Sequence, residues 1–296
     1  MASTKEIKNR ISSVRNTQKI TNAMYLISST KMRKAKGELD KTRPYFTALK
    51  EEVERIFLTA EDVDSRYFEP AEGIKLREEA CGCLVITADK GLAGAYNQNV
   101  LREAHQLCQK HPDMKLFVVG EYGRQFFLKH RIPIEKSFLY TAQNPTMQRA
   151  REIGEILLEW YDAGRLDEIF IIYTDLTGAV EEVKHARLLP FHRQHFVVSG
   201  KERENIIPFE FHPSASTVLD NIMHSYIFGY IYSALVDSFC SEQTARMTAM
   251  SSANQNAAKI LEELSIQYHL VRQAAITREI TEVSSGARAQ KRKKRK

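Results

Sequence analysis

The chain has 296 residues, of which 43% are apolar and 27% are charged, and its formal net charge is +6. The apolar content is sufficient for a globular core, and the length suits one large domain or two smaller ones. Apolar runs of about 18 residues do not occur, which argues against a membrane-spanning helix, and the first residues lack the apolar core of a secretory signal.

The positive charge is concentrated at the two ends of the chain. Residues 1–43 carry eleven lysine and arginine side chains and three acidic ones, and the last nine residues carry seven further cations. Residues 44–287 are net negative. Because an electrostatic partner responds to the local charge, we expect any anionic partner to bind at the ends.

The first 58 residues predict a long helix that packs against a partner. Ser3 and Glu6 have the spacing of a capping box, and Ile7, Ile11 and Val14 follow at the spacing of a coiled-coil seam. Continuing that register meets the polar residues Gln18, Thr21 and Ser28, so we expect the buried stripe to move to apolar neighbours. The expected stripe consists of Ile20, Met24 and Ile27, followed by Met32, Ala35 and Leu39.

A proline is expected to interrupt this helical segment before its end. Pro44 should interrupt the helix, because proline restricts the residue before it. The helical pattern then resumes to about residue 58. Residues 59–79 are acidic and contain Pro70 and Gly73, so they predict a linker.

Residues 80–212 predict a central α/β domain of the Rossmann-like kind. Short apolar runs alternate here with amphipathic helical segments, and this alternation is typical of a largely parallel sheet. The predicted elements are strands at 83–88, 114–120, 133–140 and 167–176, a helix at 145–163, and extended or hairpin structure at 179–212.

Residues 213–286 predict a second long helix. Its apolar residues hold a 4,3 repeat at Ala257, Leu261, Leu264, Tyr268, Val271 and Ala275. The simplest arrangement winds the two terminal helices together as an antiparallel coiled coil, with the α/β domain inserted between them. Residues 287–296 are predicted to be a disordered basic tail, because consecutive like charges repel one another.

The remaining motifs favour structural roles over catalytic ones. GLAG at 91–94 begins like a phosphate-binding loop but lacks the third glycine and the lysine, so it predicts a strand-to-helix turn. His192 and His195 have a metal-like spacing without a carboxylate or cysteine to complete a ligand set. A bridge between Cys81 and Cys83 would be strained, and the four cysteines are expected to be reduced. We therefore expect no catalytic residue, no cofactor and no metal.

Three segments of the chain resemble one family closely. NTQKITNAMYLISSTKMRKA (16–35), ITADKGLAGAYN (86–97) and SEQTARMTAMSSANQNAAKILEEL (241–264), the last followed by RQAAITREITEVSSGA (272–287), are similar to signature segments of the F-type ATP synthase gamma subunit. They occur in the family's order and span nearly the whole chain. The resemblance implies a non-catalytic rotor shaft, which couples transmembrane flow of protons or sodium ions to ATP synthesis.

The resemblance also implies partners and contact residues. The partners would be a ring of alpha and beta subunits, an epsilon subunit and the membrane c-ring, with one copy of this chain per complex. The complex would lie on the cytoplasmic face of the cell membrane, with this chain as a peripheral subunit. The implied partner-contact residues are Met24, Lys90, Arg246, Gln273, Thr277 and Glu282, where Lys90 stands at a position that is usually arginine in the family.

Two other functions compete with this interpretation. The basic N-terminal helix and the KRKKRK tail would suit a coiled-coil protein that binds nucleic acid, with an affinity that falls steeply with salt. An enzyme that uses the α/β domain would need a substrate or cofactor bound by residues 80–210, and no set of residues in the sequence supports one.

Overall fold

The computed structural model describes residues 3–60, 63–69, 80–139, 141–177, 180–196 and 210–293. The chain forms two compact units, Ser29–Arg246 and Met1–Ser28 together with Met247–Lys296. Both unit boundaries fall inside long helices. The five segments expected from the sequence divide the chain at the ends of its helices, and that division remains a prediction.

The larger unit contains a five-stranded sheet in which a helix separates each pair of successive strands from β1 to β4, and β5 directly follows β4. The strand order is β3-β2-β1-β4-β5; the pairs formed by β1 with β2, β1 with β4 and β2 with β3 are parallel, and β5 runs antiparallel to β4. The described elements are α1 (Thr4–Thr59), β1 (Cys81–Ile86), α2 (Tyr96–Lys110), β2 (Lys115–Val119), α3 (Glu121–Lys129), β3 (Lys136–Phe138), α4 (Met147–Asp162), β4 (Glu168–Thr177), β5 (Val180–Leu189) and α5 (Ala215–Lys293). The mixed α/β architecture predicted from the sequence is confirmed.

The sheet has a separate apolar core on each face. Alternate side chains of β1 contribute to different cores: Leu84 and Ile86 join one cluster, and Cys83 and Val85 join the other. The first cluster also contains residues of α1, α4 and the beginning of α5, and the second contains residues of α2 and α3. Burial of β1 on both faces explains its continuous apolar sequence, which is typical of a central parallel strand.

The expected interruption at Pro44 does not occur. Helix α1 continues through Pro44 without ending. Proline removes one helical hydrogen bond, and packing of the neighbouring turns supports the helix around it. Phe46 fits against Gly229 of α5 so closely that a Cβ atom on the glycine would overlap its ring. Tertiary contact therefore outweighs the local cost of the proline.

The predicted linker at 59–79 is partly a packed segment. Residues 61–62 and 70–79 lie outside the described residues, but Val63, Tyr67 and Phe68 are buried in the first core. Phe68 also forms an isolated bridge with Phe191, which follows β5. The pattern of the sequence does not predict this packing, because Val63 is isolated from Tyr67 and Phe68 by three polar residues within an acidic segment.

In the smaller unit, burial follows a strict seam on both helical segments. The residues of α5 that are less exposed than their neighbours include all six of the predicted repeat, namely Ala257, Leu261, Leu264, Tyr268, Val271 and Ala275. In α1, Gln18 and Thr21 are partly covered and Ser28 is buried, whereas Ile20 and Ile27 are exposed. The stripe expected at those isoleucines is therefore wrong. A hydrogen bond from Thr21 to the side chain of Asn254 explains how a polar residue is accommodated in the seam.

The C-terminal helix extends further than expected. Helix α5 runs to Lys293, although residues from 287 onward were predicted to be disordered. The sequence after Gly286 contains neither proline nor glycine, so nothing in the backbone chemistry ends the helix there. Residues 294–296 lie outside the described part of the chain. Within the described residues, every helix is too short or too polar to span a membrane.

Asp237 on α5 gives the fold a testable dependence on pH. Burial, followed by the nearby carboxylate of Asp175, raises the pKa of Asp237 from 3.8 to about 6, although Ser233, Arg43 and Lys184 partly offset the shift. A carboxyl group with a raised pKa destabilises the folded state progressively as pH rises from about 4 to about 6.

We expect Asp237→Asn to increase the free energy of unfolding by about 1–2 kcal/mol at pH 7.5, a gain that disappears below about pH 4. Urea unfolding of the full chain at both pH values measures this difference. An equal effect of the substitution at the two pH values would contradict the assignment.

Candidate functional site

The predicted residue Lys90 lies in a tightly bonded turn between β1 and α2. The side chain of Asn97 accepts a hydrogen bond from the Ala88 amide at 2.9 Å and donates one to the Lys90 carbonyl at 3.4 Å. Leu92 and Gly94 both have left-handed backbones, with φ values of 64° and 54°. The turn exposes the Lys90 side chain and leaves Leu92 66% exposed. An exposed leucine in a strained backbone suits a contact surface better than a core position.

The same turn connects to the start of α3. An Asp89 carboxylate oxygen accepts a hydrogen bond from the backbone amide of Glu121 at 3.0 Å. A carboxylate at a helix N-terminus satisfies a free amide and interacts favourably with the helix dipole. The other carboxylate oxygen of Asp89 is buried without a hydrogen-bond partner. Asp89 therefore ties the turn to the start of α3.

Arg246 of α5 lies directly against this turn. Its guanidinium donates to the Gly91 carbonyl at 3.1 Å and pairs with the Glu242 carboxylate, one helical turn away, at 2.6 Å. Both side chains are buried, and burial raises the pKa of Glu242 despite the opposing effect of Arg246. Beside them Ala88, Ala93, Tyr96 and Ala245 form a small apolar cluster. The structure thus places Arg246 against the turn that contains Lys90, with its bond to the neighbouring Gly91.

Met24 lies in the smaller unit, one helical turn after Thr21. Its side chain is partly buried, and the neighbouring Leu26 and Ile27 are exposed. The cations that precede it on α1, such as Lys8, Arg15 and Lys19, are also exposed. This part of α1 therefore presents apolar and cationic side chains to its surroundings.

The remaining predicted residues, Gln273, Thr277 and Glu282, are all exposed on the last third of α5. The Thr277 hydroxyl donates to the Gln273 carbonyl at 2.9 Å. A shallow depression of about 610 Å³ is lined by Leu270, Gln273, Ala274, Thr277, Arg278 and Thr281. The exposed fraction reaches 64% at Ile280 and 74% at Val283. A helix end with large exposed apolar side chains is a candidate interaction surface.

The described residues offer no constellation for metal chemistry. Among them, no group of three or more histidine, cysteine or acidic side chains is placed to hold a metal ion. His192 contacts Glu69 at 2.5 Å, and the side chain of His195 lies outside the described residues. Two further residues of the site were not predicted from the sequence. Asn97 bonds within the turn, and Glu242 pairs with Arg246. The four-residue spacing of Glu242 and Arg246 is a readable helical ion-pair signal, whereas the reach of Asn97 across the turn is not.

Comparison with known proteins gives one consistent result. A family model described as ATP synthase matches residues 3–290. The ATP synthase gamma chain of Caldanaerobacter subterraneus subsp. tengcongensis is 42% identical over 96% of this chain and 98% of its own length. The gamma chain of Ruminiclostridium cellulolyticum is 38% identical over 96% of this chain and 98% of its own.

Solved structures share the fold at lower identity. The rotor of the Euglena gracilis mitochondrial ATP synthase in rotational state 1 has a TM-score of 0.64 and 16% identity, covering 92% of this chain and 98% of that one. The central stalk and c-ring structure of the Tetrahymena thermophila mitochondrial ATP synthase gives a TM-score of 0.58 and 23% identity, covering 79% of this chain and 99% of that one.

Two long terminal helices, a five-stranded α/β domain and a family match over residues 3–290 define the class as an ATP synthase subunit. The chain belongs to the ATP synthase gamma chain family, and it has the function of that family, as a gamma subunit of an ATP synthase.

Proposed function

We propose that the chain is the rotor of a central stalk, turning inside a ring of alpha and beta subunits and itself carrying out no chemistry. The observation that carries this proposal is the exposed apolar surface on the terminal helices. Large apolar side chains are exposed at Ile20, Leu26, Ile27, Ile260, Ile266, Leu270, Ile276, Ile280 and Val283. A surface of this kind is costly in a lone soluble protein and suits one that is covered by partner subunits.

The charged side chains on the last part of α5 remain available for contacts with partner subunits. Among the side chains described between Met247 and Arg288, none forms an ion pair within the chain. A rotor that faces similar subunits in turn should avoid deep energy wells, such as a fully desolvated ion pair creates at an interface. Met24, Lys90, Arg246, Gln273, Thr277 and Glu282 are proposed to make the state-dependent contacts with the beta subunits.

We further propose that the terminal helices form an antiparallel coiled coil, with the Rossmann-like domain inserted between them in the sequence. In the smaller unit Thr21 bonds to Asn254, and in the larger unit Met32 contacts Thr244 at 3.2 Å. Rising numbers on α1 thus pair with falling numbers on α5, which supports the antiparallel direction. A polar pair in an apolar seam fixes the register of two helices, because any shifted register would bury it without a partner.

The proposed assembly contains one copy of this chain, with the epsilon subunit and the membrane c-ring as further partners. It would sit at the cytoplasmic face of the cell membrane, where a peripheral rotor can couple proton or sodium-ion flow to ATP synthesis. The family membership supports these partners.

Co-expression with alpha and beta subunits from the same source tests this proposal. We expect an isolable complex that contains a single copy of this chain, measured by native mass spectrometry. Failure to form a complex, or the presence of several copies within it, would contradict the proposed function.

A further inference from the structure

We propose that Arg246 and Glu242 act as a clamp that fastens the turn at residues 88–97 to α5, and that this clamp transmits torque between the sheet domain and the shaft. This assigns Arg246 a positioning role inside the chain, in addition to any contact with a partner. The inference rests on the proposed rotor function, because a static subunit would have no torque to transmit.

The contacts place Arg246 at the centre of the clamp. One guanidinium nitrogen donates both to the Gly91 carbonyl and to the carboxylate of Glu242. Glu242 is only 6% exposed, so the pair is shielded from water and salt. A charge-assisted hydrogen bond in such surroundings is stronger and more directional than one at the surface.

The turn that Arg246 holds is itself rigidly connected to the sheet. It joins β1 to α2, Asn97 closes it from one side, and Asp89 binds the first amide of α3. Leu92 keeps a left-handed backbone, which persists only where surrounding contacts enforce it. The Gly91 carbonyl is therefore one point at which a force on the sheet domain reaches α5, in addition to the apolar packing of the earlier part of that helix.

Helix α5 then carries the force along the chain. It is one continuous helix from Ala215 to Lys293, and Arg246 lies within it. Most of the apolar packing of α5 against the sheet domain involves residues before Cys240. The clamp follows these residues along α5, within the next two turns of the helix.

An ion pair could instead serve only to neutralise the buried Glu242, and two variants separate these roles. Arg246→Met removes the anchor and leaves Glu242 buried without its cation. The double variant Glu242→Gln with Arg246→Met also lacks the anchor but contains no unpaired buried charge. If Arg246 only neutralises Glu242, the double variant should regain full function.

The experiment uses the complete ATP synthase reconstituted in lipid vesicles, with ion pumping per ATP hydrolysed as the readout and thermal unfolding of the full chain in parallel. We expect Arg246→Met to lower both the coupling ratio and the unfolding temperature. We expect the double variant to regain most of the unfolding temperature, because it has no unpaired buried charge. Its coupling ratio should stay well below wild type, because it still lacks the bond to the Gly91 carbonyl.

Arg165→Met is the matched control, because Arg165 pairs with Glu159 at 3.1 Å on the surface of the same domain and does not touch the turn. It should leave the coupling ratio unchanged. Full recovery of coupling in the double variant, or an equal loss in the control, would overturn the clamp. A wild-type complex that hydrolyses ATP without pumping would instead contradict the rotor function itself.

Discussion

Replacement of Gly120 by alanine is expected to reduce the free energy of unfolding by at least about 3 kcal/mol. Gly120 lies between β2 and α3 and has a φ of +95°, which side chains other than hydrogen rarely allow. A Cβ atom here would lie 2.7 Å from the Thr87 hydroxyl and 2.8 Å from the Ala88 carbonyl oxygen, and closer still to the Thr87 carbonyl oxygen. These backbone atoms belong to the turn after β1, so they cannot move without disturbing the sheet.

Gly164→Ala is the matched control for this substitution. Gly164 also has a positive φ, of +65°, but a Cβ atom there would meet no atom within 4 Å. Its replacement should therefore lower the free energy of unfolding only through backbone strain, by about 1 kcal/mol. Urea unfolding of the two full-length variants measures the difference, and equal losses would show that the close approach at Gly120 does not matter.

Truncation of the chain after residue 280 is expected to abolish most ion pumping in the assembled enzyme while leaving the fold intact. The side chains described from residue 281 to residue 288 are all exposed, so their loss removes no core contact. The free energy of unfolding should change by no more than about 0.5 kcal/mol. Circular dichroism, urea unfolding and vesicle pumping assays together test this expectation.

A full-length variant distinguishes lost length from lost surface. Ile280→Ser with Val283→Ser keeps the helix but removes two of its exposed apolar side chains. If this surface contacts the ring, the double variant should also lower pumping per ATP. An unfolded truncated chain would show that the helix end belongs to a core, which contradicts its proposed position at the interface.

Local chemistry made much of the fold predictable. The apolar runs became strands because β1 and its neighbours are buried on both faces, and the 4,3 repeat at 257–275 became the less exposed stripe of the last part of α5. The structure differs from the interruption predicted at Pro44 and from the linker predicted at 59–79 for a common reason. The cost of a proline or of acidic residues is visible locally, whereas the packing of Phe46 on Gly229 joins positions far apart in the sequence.

The seam of α1 is a second case in which local sequence does not predict the packing. Hydrophobicity alone favours Ile20 and Ile27 as buried residues, but the structure buries the polar register and exposes both isoleucines. The hydrogen bond from Thr21 to Asn254 satisfies the polar group in the seam. The two exposed isoleucines are explained if a partner subunit covers them. A sequence pattern cannot tell a core face from a binding face, because both are apolar.

The candidate site was predictable as a list of residues and not as an arrangement. Resemblance named Arg246 and Lys90 separately, and only the structure shows Arg246 bonded to the Gly91 carbonyl, next to Lys90. The pairing with Glu242 could be read from helical spacing. The contact across 155 residues of sequence could not, because it depends on how the sheet domain and α5 pack.

Single-molecule observation tests the rotor function most directly. A probe would be attached through Lys129→Cys, an exposed position at the end of α3, in a complex whose beta subunits are fixed to a surface. The proposed function predicts that the probe turns in one direction while ATP is hydrolysed and stops when ATP is removed. A probe that stays still while the same complexes hydrolyse ATP would contradict it.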